Sequence, residues 1–139
     1  MAWTGPMEDR LAIRELYDSY ADAASRADRA AWLGCYTKDA RWKTHYFDLT
    51  GIDAIAQQYD AIGGDVTDTL VHTQVFSIEV DGDSATCRAL QIESLLYANG
   101  ATYELAGLYE DELVREGGQW LFKYRNYLVK REKAPDVGL

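Results

Sequence analysis

Three turn signals in the second half of the chain limit its possible folds more than any other feature: Asp81-Gly82-Asp83, Asn99-Gly100 and Glu116-Gly117-Gly118. Asp-Gly and Asn-Gly pairs supply the positive φ angles that tight hairpin turns require. The stretches around them are rich in β-branched and aromatic residues and predict four strands, at roughly 69–80, 84–97, 102–115 and 119–131. Short turns cannot join parallel strands, so these four form an antiparallel meander.

Ahead of the strands the chain reads helical. From Met7 to about Ser25, Ile13, Leu16, Tyr17, Tyr20, Ala23 and Ala24 fall on one helical face, while Arg14, Asp18 and Asp22 face away. Asp28 is placed to cap a short second helix through Ala30, Ala31, Trp32 and Leu33, its carboxylate accepting from free N–H groups. Ala40 to Phe47 reads as a strand with Trp42, Thr44 and Tyr46 on one face. Thr50-Gly51-Ile52-Asp53 opens another helix, which Gly63-Gly64 stops. Helices followed by long antiparallel strands make an α+β fold, with the N-terminal helices packed on a strongly curved antiparallel sheet over an internal pocket. The whole chain, 1–139, reads as one domain with its core over about 7–131, short tails at both ends, and fraying from Ala134.

Charge narrows the partners. The chain has 23 acidic and 14 basic residues, a net charge of −9, and no concentrated basic patch, which argues against nucleic acid. Lys130-Arg131-Glu132-Lys133 is short, interrupted by an acid, and reads as a solvated chain end. No apolar run is long enough to span a bilayer, and Met1-Ala2-Trp3-Thr4-Gly5-Pro6 lacks the basic start of a secretory signal, so no membrane partner and a cytoplasmic location are expected. Cys35 and Cys87 lack metal-ligand spacing and read as buried free thiols. With two histidines, no Gly-rich phosphate loop and no nucleophile elbow, neither a zinc site nor a nucleotide cofactor is expected; the expected cofactor list is empty.

Four segments in order carry a family resemblance: Ile13-Arg14-Glu15-Leu16-Tyr17, Tyr36-Thr37-Lys38-Asp39-Ala40-Arg41-Trp42, Val80-Asp81-Gly82-Asp83-Ser84-Ala85, and Tyr109-Glu110-Asp111-Glu112-Leu113 with Gly118-Gln119-Trp120. The chain resembles a SnoaL-like domain, of the superfamily that includes scytalone dehydratase, ketosteroid isomerase and hexachlorocyclohexane dehydrochlorinase. The resemblance implies a cone-shaped α+β barrel, and it specifies fold better than activity. It also implies an acid–base dyad in the dehydratase-like branch, an aspartate late in the first helix and a histidine on the meander. Ser25 stands at the aspartate position, and serine cannot hold or charge-stabilise an imidazole as a carboxylate does. Asp22 projects from the opposite face, and Asp28 is a cap. The histidine position aligns with Val71, one residue before His72, if the family's β-bulge is kept. Under strict alternation His72 shares the face of Gln74, Phe76, Ile78 and Val80 and points into the pocket, and this reading is adopted. The alternative is a histidine paired with backbone or water near the strand's end.

Further candidates come from strand faces. Ala85, Cys87, Ala89, Gln91 and Glu93 share one face, whose small residues leave space over the sheet. A carboxylate there has its pKa raised by desolvation, as a general acid or base requires. The competing register turns Leu90 and Ile92 inward and leaves Glu93 outside. Ten tyrosines offer apolar rings with one polar handle each; Tyr17, Tyr20, Tyr46 and Tyr109, with Trp42, are candidate pocket residues, against the plainer role of core packing. By the resemblance, Thr44 or Tyr46 lies nearest to the position of a tyrosine on the first strand that assists catalysis in scytalone dehydratase. Asn126, placed with Trp120, Phe122 and Tyr124 by alternation, is a candidate at the mouth, Asp111 a structural hydrogen-bonding group, and His45 a surface residue.

Two functions follow. One is cofactor-free acid–base chemistry beside a carbonyl on a small hydrophobic, polyketide- or steroid-like substrate: dehydration, isomerisation or cyclisation. His72 would be the base, Glu93 its partner and Tyr46 or Tyr20 the oxyanion donor; Tyr17, Tyr20, Trp42, Gln91, Tyr109 and Asn126 would contact the substrate. The other is a non-catalytic binding or assembly module. Leu90, Ile92, Leu108 and Val129, read as outward-facing, suit a subunit interface, so a homo-oligomer, dimer or trimer, is expected on either reading.

Overall fold

The computed structural model describes residues 2–133; the tail from Ala134 lies outside the described residues. In chain order the elements are β1 (Trp3–Thr4), α1 (Met7–Ser25), α2 (Arg29–Leu33), β2 (Tyr36–Lys43), β3 (Asp48–Thr50), α3 (Ile52–Gly63), β4 (Val66–Asp81), β5 (Ser84–Tyr97), β6 (Thr102–Glu116) and β7 (Gln119–Lys133). Gly82 and Gly100 carry positive φ at the first two hairpin turns, as tight turns demand. The seven strands form one sheet in the order β1-β4-β5-β6-β7-β2-β3, antiparallel except at β1–β4 and β2–β7. It curls around the helices without closing, because β1 and β3 at its two edges do not pair.

The first helix buries Ile13, Tyr17, Tyr20 and Ala23, one face in period 3.6, against the inner side of the sheet. Asp28 caps α2 by accepting from the Ala31 N–H at 3.1 Å. Two short strands, β1 and β3, have no counterpart in the sequence reading. The stretch expected to run as a strand to Phe47 instead stops at Lys43 and folds back, with Lys43 facing Asp48 and the Thr44 N–H donating to the Phe47 carbonyl at 2.9 Å. Tyr46 therefore sits exposed at a hairpin tip rather than on a strand face.

Register shifts decide the faces of the long strands. Val75 pairs with Ala89 and Ser77 with Arg88, so Phe76 is an extra residue in β4. Likewise Phe122 pairs with Leu113 and Tyr124 with Glu112, which makes Lys123 an extra residue in β7. An unpaired residue reverses the side-chain alternation beyond it. The inner face of β4 thus carries Val71, Thr73 and Val75, then Ile78 and Val80; that of β7 carries Phe122, then Arg125, Tyr127 and Val129. Both cysteines are free and buried. No helix among the described residues is long and apolar enough to cross a membrane.

Candidate functional site

The wide end of the curl holds a cavity of about 940 Å³. Its walls include Tyr20, Ser25, Trp42, Gln91, Glu93, Tyr103, Tyr109 and Tyr127, with Tyr46 and Phe47 at the β2–β3 hairpin. On β5 a run of small residues faces inward, and Ala85, Cys87 and Ala89 are all buried in the core beside the cavity rather than on its wall. Next on that face come Gln91 and Glu93, while Ile92 is 46% exposed, which excludes the competing register. Glu93 has no ion-pair partner among the described residues. Burial pushes its carboxyl up to about 7, against the opposing pull of the Arg125 charge and the Gln91 amide.

Under the cavity floor lies a buried network centred on Asp111, a structural hydrogen-bonding group as expected, and on Arg125, which the sequence did not single out. Arg125 is fully buried, and its Nε and Nη2 donate to the Asp111 carboxylate at 3.0 and 2.9 Å. The Tyr17 hydroxyl donates to the same carboxylate at 2.5 Å. The guanidinium also lies 3.6 Å from the Tyr109 ring centroid and 4.0 Å from that of Phe122. Desolvation raises the Asp111 carboxyl while the Arg125 charge opposes that rise. Tyr17 is consequently a core residue that does not line the cavity. Arg125 escaped notice because strict alternation from Trp120 turns it outward; only the extra residue at Lys123 brings it in.

Four expectations are corrected by the strand registers and the β2–β3 hairpin. His72 pairs with Ile92 and is exposed on the outer face, since β4 keeps its bulge; Val71 takes the inward place, directly opposite Glu93. Asn126 pairs with Glu110 on the outer side, and Val129, read as outward, lines the cavity. Tyr46 reaches the cavity from the hairpin tip, not from a strand face, and its hydroxyl donates to Glu132. Tyr20, Trp42, Gln91, Glu93 and Tyr109 do line the cavity. Ser25 lies at its edge with its hydroxyl donating to the Ala21 carbonyl, and Asp22 points away to Arg26 at 3.1 Å. Neither Ser25 nor Val71, the positions at which the resemblance implies a dyad, carries an acid or a base.

Glu132 is the second carboxylate of this end. On the inner face Glu93 pairs with Leu105, and Leu105 with Glu132, so the two acids share one row two strands apart. The Tyr103 hydroxyl donates to Glu132 Oε1 at 2.7 Å, and Tyr46 donates to the same oxygen. These two donations hold the Glu132 carboxyl below its ordinary range. No group of three or more His, Cys, Asp and Glu residues among the described residues is arranged to hold a metal ion.

A curled α+β sheet with helices across its mouth and a titratable carboxyl on the cavity wall defines the class of fold. The SnoaL-like domain family matches residues 6–126, and the chain belongs to that family. A function-unknown protein from Mycobacterium tuberculosis is 29% identical, with a TM-score of 0.80 over 91% of this chain and 79% of that one. A proposed scytalone dehydratase from Novosphingobium aromaticivorans shares the fold at 22% identity and a TM-score of 0.85, covering 91% of this chain and 87% of its own. Hexachlorocyclohexane dehydrochlorinase from Novosphingobium barchaimii does so at 17% identity and 0.80, covering 96% and 93%. No curated protein matches the chain.

Proposed function

We propose that this protein is a cofactor-independent lyase- or isomerase-type enzyme that moves a proton next to a carbonyl on a small hydrophobic substrate, with Glu93 as its acid–base group. The observation that carries this reading is the Glu93 carboxyl, without an ion-pair partner among the described residues, on an aromatic cavity wall and poised at about 7. In its ionised form Glu93 takes the α-proton while the C–H electron pair moves toward the carbonyl, giving an enolate. The proton returns at another carbon in an isomerisation, or a β-substituent leaves with the electron pair in an elimination. The fold of scytalone dehydratase- and dehydrochlorinase-like proteins supports that class of chemistry without specifying the substrate.

The test is α-proton exchange of aromatic and alicyclic ketones in deuterated buffer, followed by NMR. Exchange above background that Glu93→Gln lowers at least tenfold, with the fold intact, supports the reading. An unchanged rate in that variant removes it.

A non-catalytic binding module is the second reading, favoured by Ser25 and Val71 at the dyad positions. On either reading the outer sheet face supports a homo-oligomer: Leu90, Leu108 and Leu128 pair in one row across β5, β6 and β7, beside exposed Ile92 and Leu70.

A further inference from the structure

The cavity mouth holds a side-chain cluster with no part in the chemistry above. Glu132 sits near the end of β7, Tyr103 near the start of β6, and His45 and Tyr46 at the tip of the β2–β3 hairpin. Both phenols converge on Glu132 Oε1, and His45 Nε2 lies 3.8 Å from Oε2. The His45 ring lies 3.9 Å from that of Tyr46, centroid to centroid. Of the four, Tyr46 and Tyr103 line the cavity.

A phenol has one proton to donate and lone pairs to accept with. Tyr46 and Tyr103 each spend that proton on Glu132, so toward the cavity they can only accept. The polarity of the two phenols is thereby fixed: each reads a hydrogen-bond donor and gives nothing to an acceptor. A ligand acceptor placed against these oxygens forms no hydrogen bond with either, whereas a ligand donor does. Glu93 lies in the same cross-strand row as Glu132, with Leu105 between, a separation of roughly 10 Å from two strand spacings.

We propose that Tyr46 and Tyr103, locked as acceptors by Glu132, are specificity-determining residues that select ligands carrying a hydroxyl or N–H donor at the end opposite the carbonyl. This inference rests on the reading of Glu93 as the group that meets the carbonyl. It goes beyond it by assigning the opposite end of the ligand. An ether, ketone or carboxylate at that end receives no hydrogen bond from either phenol and meets the Glu132 charge.

Two probes differ by one methyl group at that end: 2-acetyl-6-hydroxynaphthalene and 2-acetyl-6-methoxynaphthalene. Their affinities are measured by fluorescence titration of the full chain and of three variants. The wild type is expected to bind the hydroxy probe at least tenfold more tightly. Tyr46→Phe/Tyr103→Phe removes the acceptors, and Glu132→Ala frees both phenol protons to donate; either should bring the ratio to within about threefold of one. Glu93→Gln should change the affinity of both probes alike and leave the ratio standing. A wild-type ratio near one, no binding of either probe, or a ratio that survives both mouth variants overturns the inference. A ratio that behaves as expected without any α-proton exchange upholds the mouth assignment and removes the catalytic reading. Circular dichroism of each variant confirms that the fold is retained.

Discussion

Glu93 faces Val71 across the β4–β5 ladder, and both side chains lie on the concave side of the sheet. Val71 contributes neither charge nor hydrogen bond, so nothing on that side compensates burial of the carboxylate. The groups near enough to feel its charge are Tyr20 from α1, Tyr109 from β6, and Tyr127 and Arg125 from β7. Of these only Arg125 is cationic, and Asp111 already holds it. The result is a carboxyl that gains and loses its proton near neutrality.

A rate limited by ionised Glu93 rises with pH and levels off above about 7. Stability moves the opposite way. The folded state holds this proton more tightly than the unfolded chain, so the Glu93 contribution falls as pH rises from the ordinary value of 4.5 to about 7, and is constant beyond. Glu93→Gln should therefore stabilise the protein at pH 8 by on the order of 1–3 kcal/mol and much less at pH 4, read by urea denaturation at both pH values.

Val71→His would place an imidazole opposite Glu93, within reach of a cross-strand pair. An imidazolium favours the ionised carboxylate, so the pH–rate inflection assigned to Glu93 should move down by about one unit or more. His72→Gln, one residue away but on the convex side, should leave the rate within about twofold of wild type. Both are read from pH profiles of α-proton exchange, and an inflection that ignores Val71→His would show that Glu93 does not set it.

Asp111→Asn leaves Arg125 buried with its charge uncompensated, a loss expected to cost about 3–5 kcal/mol. The double replacement Asp111→Leu/Arg125→Met removes both charges and should cost less than the single change. Chemical denaturation of the three proteins checks the ordering.

Gly107 sits where Tyr127 crosses the sheet to donate its hydroxyl to the Gln91 carbonyl at 3.1 Å. A Cβ there would fall 2.5 Å from the Leu128 carbonyl oxygen and 3.0 Å from the Tyr127 ring. Gly107→Ala should destabilise by about 1–3 kcal/mol and, by displacing Tyr127, weaken binding of any ketone probe in the cavity. Thermal denaturation and the fluorescence titration measure the two effects.

Leu128→Glu introduces charge into the row of Leu90 and Leu108 on the convex face. Sedimentation should find the wild type as a homo-oligomer and this variant as a monomer with its fold retained. A wild type that sediments as a monomer at all accessible concentrations would remove the interface.

Much of the architecture was legible in the residues because it is set locally. The apolar face of α1, the Asp28 cap and the hairpins at Gly82 and Gly100 depend on neighbours within a few positions. The inward run Ala85, Cys87, Ala89, Gln91 and Glu93 was legible too, since β5 keeps strict alternation over that length. The β2–β3 hairpin carries no glycine to announce it, which is why Tyr46 was misplaced. The sides of His72, Asn126 and Arg125 were decided by one extra residue each in β4 and β7, at Phe76 and Lys123. Nothing in the chemistry of a phenylalanine or a lysine marks it as unpaired. A bulge exists only relative to the partner strand, and it forms where packing both strands against the helices is better served by a skipped pairing than by strict register. The four-stranded meander and its hairpins thus came from the sequence, whereas the pairings of β1, β2 and β3 and the choice of polar groups that face the cavity were settled by tertiary pairing.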